Sequence, residues 1–339
     1  LASCNKKRES SLDLSRLLGY NTGSNGEHRM IEEAQENIKM KFDLVITNPP
    51  YQNSQHTEKK NTLWRDFLAL GIEELVNDEG HLSLVIPSSW MGSNQLLTKY
   101  FLPYNLESVN KDECRRHFPG VGSTFSYFIM GKKPYQGKTE IINKEINGQI
   151  TVGNYDINSC VVDAFPRNIS SVSVSIVNKV LHQNHERLGI VNNTKHHSVH
   201  KDRWRNEKKD NFIYPVQNTP SKLYWFNTRH IDQGKGKVLI PTTTYFRRMS
   251  LSTYGVTQSF CYYLIPEDVE ATTALHNINN IVFDYINECF RYANWNSVRL
   301  LRKLPKIPMT HKLSEREIYD FFDLNSDEVE EIKKTITWR

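Results

Sequence analysis

Phe42-Asp43-Leu44-Val45-Ile46-Thr47-Asn48-Pro49-Pro50-Tyr51 is an apolar strand that runs directly into Asn-Pro-Pro-Tyr. Phe42 to Ile46 reads as a buried strand of the kind found in the middle of a parallel sheet. Two prolines after a strand are commonly just a stop signal, because they fix φ and remove two ladder donors. Here the strand also aims Asn48 at the carboxyl end of such a sheet, where ligands of α/β proteins bind.

The pattern continues in the same rhythm downstream. Thr62 to Val76 carries Leu63, Trp64, Phe67, Leu68, Leu70, Ile72 and Leu75 at the spacing of an amphipathic helix, ended by Asn77-Asp78-Glu79-Gly80. His81 to Ile86 is a second buried strand stopped by Pro87, a helix follows from about Ser93 to Phe101, and Leu106 to Val109 and Ser123 to Gly131 are further strands. Strand and helix alternate as in a doubly wound α/β sheet. Upstream, residues 1 to 30 are polar with a short helical pattern at Leu12, Leu14, Leu17 and Leu18, and Glu32 to Met40 reads as a helix.

Beyond Pro134-Tyr135-Gln136-Gly137 the rhythm changes, which places a domain boundary near residues 134 to 140. Short alternating strands (Ile150 to Val152, Lys237 to Pro241, Phe260 to Ile265) mix with polar loops and one helix from Ala271 to Phe290. A closing segment with Leu304-Pro305-Lys306-Ile307-Pro308 precedes two short amphipathic helices ending at Arg339.

A chain of 339 residues is long enough for two domains with their own cores. No apolar run approaches the roughly 18 residues that span a bilayer, and the N-terminus lacks the apolar core of a signal peptide. The five cysteines (Cys4, Cys114, Cys160, Cys261, Cys289) are odd in number and scattered, which favours a reducing, cytoplasmic setting, and with no spanning run no membrane partner is expected. The net charge is +5, yet Lys195 to Ser250 alone holds 12 Lys/Arg against 4 Asp/Glu. That local excess of +8 leaves the rest of the chain near −3, so the basic charge is concentrated in one region.

Asn-Pro-Pro-Tyr can act on an exocyclic amino group conjugated to a ring. Delocalisation of its lone pair makes such a nitrogen a poor nucleophile. The Asn48 side-chain oxygen can accept one N–H bond, and a backbone carbonyl held out by the rigid Pro49-Pro50 unit can accept the other. Two acceptors so placed draw the nitrogen toward tetrahedral geometry, and Tyr51 offers a flat face for the ring.

These residues resemble the amino-group DNA methyltransferases that use S-adenosylmethionine, specifically the gamma-class adenine-N6 enzymes with the Asn-Pro-Pro-Tyr motif, a branch that includes bifunctional restriction-modification enzymes. The resemblance covers nearly the whole chain from Lys41. It runs through Lys41 to Gln52, Thr62-Leu63-Trp64, Gly80 to Trp90, Phe118-Pro119-Gly120-Val121-Gly122-Ser123-Thr124-Phe125-Ser126 and Leu304 to Pro308. It implies an α/β fold in which a partial Rossmann-like methyltransferase sheet is followed by a mixed α+β target-recognition domain. The implied division is an ill-defined segment 1–40, a catalytic domain 41–135 and a recognition domain 136–339.

The resemblance further implies that Asn48 and the Pro49 carbonyl bind adenine N6, that Pro50 stiffens the motif and that Tyr51 stacks on the base. Phe118 would pack the other face of the extruded base, with a core Phe at a turn as the competing reading. Leu63, Trp64 and Phe67 match a helix beside the S-adenosylmethionine donor, although helical spacing alone makes them core residues. Double-stranded DNA is the implied partner, with a cognate endonuclease as a further one.

Extruding an adenine costs a few kcal/mol, which a second domain must offset. The basic region interleaves its charges with Trp204, Phe212, Tyr214, Tyr224, Trp225, Phe226, Tyr245 and Phe246, which suits phosphate contacts plus stacking or wedging. Arg247 and Arg248 would read guanine edges or hold phosphates. His196, His197 and His200 have no cysteine at ligand spacing, so they read as part of a polar DNA-facing loop, not as metal ligands.

The Gly-rich turn and acidic residue that hold the donor in a complete family member are not found between Leu1 and Lys41, and roughly 40 residues cannot hold the missing βαβ units. The chain therefore reads as the C-terminal portion of a methyltransferase, with its cofactor-binding segment upstream, on a separate polypeptide, or lost. A truncated sheet would leave an apolar edge and face uncovered. Two other readings are a DNA-binding specificity fragment inactive without a separate cofactor-binding part, and a protein-glutamine methyltransferase. The roughly 200 residues beyond Gln136 argue against the last.

Overall fold

Phe42–Thr47 forms β1 and pairs in parallel with β2, Val76–Pro87. The computed structural model describes residues 41–51, 63–92, 94–110, 124–144, 150–156, 165–166, 170–193, 195–291 and 295–336. The expected helices before Phe42 lie outside them. The crossover from β1 to β2 is α1, Leu63–Leu70, prolonged by one wider turn, Gly71–Leu75. Its buried stripe is Leu63, Trp64, Leu68, Leu70, Ile72 and Leu75. A Cβ on Gly71 would stand 2.8 Å from Leu82 Cδ1, so glycine is what lets the helix end settle onto β2.

The helix stops at Leu75, within one residue of the expected end, but the strand after it begins at Val76, not at His81. Asn77 to Gly80 is an interruption inside β2, with Val76 opposite Phe42, His81 opposite Leu44 and Glu79 at φ 68°.

A one-turn helix α2, Asn94–Leu96, continues as Leu97–Phe101 and leads to β3, Asn105–Asn110. Next come β4, Phe125–Gly131, β5, Thr139–Lys144, and β6, Ile150–Tyr155. The six strands form one sheet in the order β1-β2-β4-β3-β5-β6. β1, β2, β3 and β5 run one way, while β4 and β6 run against them. The sheet therefore continues past residues 134 to 140, where composition places a boundary. Pro134 to Gly137 is a turn between two strands of one sheet, because β5 adds in parallel beside β3.

One face of this sheet is covered. Val45, Leu82, Leu84, Ile86, Leu106, Val109, Phe128, Met130 and Ile141 share a core with Trp64, Leu68, Trp90 and Phe101. On the other face the residues paired across β1, β2 and β4 are Ile46, Ser83 and Ile129. Leu44 and Ile46 are 55% and 68% exposed. The reading of β1 as a buried central strand is corrected accordingly: among the described residues it is the edge strand of its sheet, with only its Val45 side packed.

α3, Ser171–Val180, starts at a capping box of Ser170 and Ser173 and lies between two cores. Val174 packs on the sheet just described; Ile176, Val177 and Val180 pack on the second core. Two four-stranded sheets follow. One contains β8 (Trp204–Arg205), β9 (Tyr214–Thr219), β10 (Lys222–Phe226) and β13 (Gly255–Val256). The other contains β7 (Val191–Asn192), β11 (Lys237–Pro241), β12 (Ser250–Ser252) and β14 (Phe260–Leu264). The helix expected from Ala271 to Phe290 is two, α4 (Ala271–Ile278) and α5 (Ile281–Cys289). They break where the Asn280 side chain accepts the Phe283 N–H and caps the second. α6 (Val298–Leu301), α7 (Glu315–Phe321) and α8 (Ser326–Ile336) close the same core. No helix among the described residues is long and apolar enough to cross a membrane.

Candidate active site

At the carboxyl end of β1, Asn48 and Pro50 are exposed, Pro49 is buried and Tyr51 is half-buried. The Tyr51 hydroxyl donates to Asn48 Oδ1 at 2.6 Å. A carboxamide oxygen has two acceptor positions, so this bond orients the amide and leaves one position for another donor. Pro49 and Pro50 hold φ near −65° and contribute no N–H that could compete for that oxygen.

The Tyr51 ring lies 5.0 Å from the Phe125 ring at 36°, so part of one of its faces is already backed by protein. Phe125 opens β4 opposite Pro87, the last residue of β2, and the Ser88 N–H donates to the Thr124 carbonyl at 2.9 Å. Beneath, the Trp90 indole N–H donates to Ser126 Oγ at 2.9 Å and Trp90 stacks on Phe101 at 4.1 Å. Ser88 Oγ is buried without a hydrogen-bond partner among the described residues, a polar group at the end of β2 that the motif reading did not single out. Its only sequence signal is its place directly after the strand-ending Pro87.

The other expected site residues are scattered. Leu63 and Trp64 are buried, Trp64 at 2% exposure, with the Arg65 guanidinium 5.5 Å from its ring centroid; Phe67 is half-buried. Phe118 lies outside the described residues. Arg247 and Arg248 are exposed on the turn between β11 and β12, with no carboxylate in ion-pair reach among the described residues.

Not all of the basic region faces outward. Lys237 is fully buried, its ammonium donating to the Lys235 carbonyl at 2.8 Å, and burial lowers its pKa to about 8. Asp232 accepts from Lys235 Nζ at 2.9 Å and from the Tyr262 hydroxyl at 2.7 Å; these bonds outweigh its burial and keep its pKa low. His196 does not belong to a DNA-facing loop. It is buried against Phe226 and His230, each 5.1 Å away between ring centroids, with Nε2 3.2 Å from the Thr228 carbonyl. Burial, chiefly, lowers the pKa of both histidines, that of His230 to about 4. His197 is half-buried and His200 exposed.

Residues 5–110 match the family model of the Eco57I restriction-modification methylase, a stretch that includes Asn48 to Tyr51. In the comparison with curated proteins nothing matches. Among solved structures the chain is similar to the type IIL restriction-modification enzyme MmeI in complex with DNA, at 8% identity and TM-score 0.39 over 79% of this chain and 45% of that one. It is similar to the type IIG restriction endonuclease BpuSI at 10% identity and TM-score 0.32, over 83% and 48%. A DrdV–DNA complex matches at 10% identity and TM-score 0.37, over 92% and 46%. The chain spans less than half the length of each of them. At that level of similarity the roles of residues rest on this chain's own geometry, and the part that bears Asn48 to Tyr51 is similar to restriction-modification methylases.

Proposed function

We propose that this chain carries the acceptor-base site and the DNA-recognition part of an adenine-N6 DNA methyltransferase from a restriction-modification or phage modification system. One arrangement carries the reading: an exposed amide oxygen, Asn48 Oδ1, held by the 2.6 Å bond from Tyr51 at the carboxyl end of β1. The remaining acceptor position of Asn48 Oδ1 takes one adenine N6–H and the Pro49 carbonyl takes the other. The nitrogen then rehybridises and its lone pair becomes available. Tyr51, backed by Phe125, is the stacking platform, and Phe118 is assigned to the opposite face of the base. The cost of extruding the base from duplex DNA is offset by phosphate contacts from the basic region, Arg247 and Arg248 among them.

S-adenosylmethionine would supply the methyl group for such a nitrogen. The residues expected beside it fit it poorly, because Leu63 and Trp64 spend their surfaces in the core and leave only Phe67 half-buried. No step on the donor side is assigned to them. The same burial favours a second reading, a DNA-binding specificity part that acts only with a separate cofactor-binding part, and a cognate endonuclease would accompany either.

The test is transfer of labelled methyl groups from S-adenosylmethionine to unmodified duplex DNA, followed by nucleoside analysis. The expected product is N6-methyladenine, and Asn48→Ala should lower its formation by about 10²–10³-fold while leaving DNA affinity intact. Equal turnover in the variant refutes the role of Asn48. DNA binding without donor binding at millimolar donor moves the conclusion to the second reading.

A further inference from the structure

Two segments far apart in sequence meet at the tip of the β11–β12 turn. The Asn296 side-chain amide donates to the carbonyls of Pro241 at 2.7 Å and Thr244 at 3.0 Å, its backbone N–H donates to the Thr242 carbonyl at 2.8 Å, and its Oδ1 accepts from Asn287 Nδ2 at 3.0 Å. Both asparagines are buried. The residue just before this anchor, Trp295, is 61% exposed, and the residue just after Thr244, Tyr245, is 51% exposed. The Arg291 guanidinium sits 5.3 Å from the Tyr245 ring centroid and props it. Exposed Arg247 and Arg248 follow on the same turn.

An indole that leaves most of its surface in water, fastened by four hydrogen bonds at its neighbour, has been denied the burial its apolar area favours. Arg247 and Arg248, two and three residues beyond Tyr245 on the turn that Asn296 holds, are exposed with no carboxylate in ion-pair reach among the described residues, and mark the partner as polyanionic. A flat apolar surface anchored to an arginine-bearing turn is complementary to a base stack between phosphates. Resting on the reading that this chain handles an extruded base, we propose that Trp295 enters the base stack of the bound duplex and fills the space a departing base leaves, while Arg247 and Arg248 hold the adjacent phosphates. Asn296 and Arg291 are positioning residues for this surface.

The experiment measures the affinity of the full chain for an intact duplex and for the same duplex carrying an abasic site, as a function of salt. The wild type should prefer the abasic duplex, whose gap costs nothing to open. Trp295→Ala should weaken that binding about tenfold, erase the preference and leave the salt slope unchanged, since no charge is lost. Trp295→Phe should retain most of the preference, and replacing Arg247 and Arg248 by Ala should flatten the slope by up to about 2.

Wild-type affinity and preference in Trp295→Ala, with the arginine variant still flattened, overturns the stacking role and leaves the DNA reading in place. A loss in Trp295→Ala that comes with an altered salt slope also overturns it, by showing that the arginine turn has moved. Failure of the wild type to bind any duplex at low salt overturns the underlying reading together with this inference.

Discussion

The Asn48 to Tyr51 turn and the Thr242 to Met249 turn both present polar side chains to solvent, but they are held in different ways. The first is stiffened from within. Two prolines set the backbone and the orienting hydrogen bond spans three residues, from Tyr51 to Asn48. The second is held from outside, by Asn296 reaching across 55 residues to Pro241 and 52 to Thr244. A site built by local stiffness is legible wherever its residues occur in order. A site built by a distant anchor is invisible until the chain has folded.

The largest effect that would break this comparison is at the anchor. Asn296→Ala leaves two carbonyls and the Asn287 amide without their partner, and should lower the unfolding free energy by about 3 kcal/mol in urea titrations. A loss under about 1 kcal/mol would mean that the second turn, too, holds itself.

The pH dependence of stability comes next. Burial, with repulsion from His196 and Lys237 that outweighs attraction by Asp232, holds His230 near 4 when folded against an ordinary value of 6.5. The unfolded chain therefore takes up the proton first. Stability is full above about pH 6.5 and falls by about 1.4 kcal/mol per pH unit down to about 4. His230→Asn should flatten that limb, as followed by denaturation at stepped pH, whereas Asn48 to Tyr51 includes no carboxylate or histidine and should not respond over this range.

At the first turn, Tyr51→Phe removes one hydrogen bond and keeps the ring, so the proposed adenine methylation should fall about fivefold, with no change in thermal stability beyond a degree or two. A drop as large as that of Asn48→Ala would mean that the amide depends wholly on this bond for its orientation.

The smallest effect lies within β1. Leu44→Thr with Ile46→Thr should change stability by less than about 0.5 kcal/mol because both side chains already stand in water, while Val45→Ala should cost about 2 kcal/mol. Sedimentation at rising concentration should show less self-association in the double variant, since its edge is less apolar.

Much of the six-stranded sheet could be read in advance, because β1, the His81 to Ile86 part of β2 and β4 are largely apolar runs bounded by Pro87, Gly131 and the Asn-Pro-Pro-Tyr stop. What could not be read was pairing. Thr139 to Lys144 carries no mark that distinguishes a strand beside β3 from the start of a new domain, and Asn280 in a helical pattern looks like any polar surface position until it caps α5. Charge counting failed at Lys237, and the reading of a DNA-facing loop failed at His196, for the same reason. Lys237 bonds to the Thr253 carbonyl and His196 packs on Phe226, residues that arrive from other parts of the chain.

By itself the sequence determined the amide acceptor followed by two rigid residues and an aromatic, the strand that delivers it, and a concentration of basic charge in residues 195 to 250. These depend on covalent geometry and on neighbours within a few residues, so residue order is enough. Burial and anchoring came only with the fold: β1 packs one side and bares the other, Trp64 lies in the core, and Trp295 stands exposed next to the asparagine that anchors the β11–β12 turn. Burial and long-range hydrogen bonds are properties of pairs, and half of each pair lies dozens of residues away.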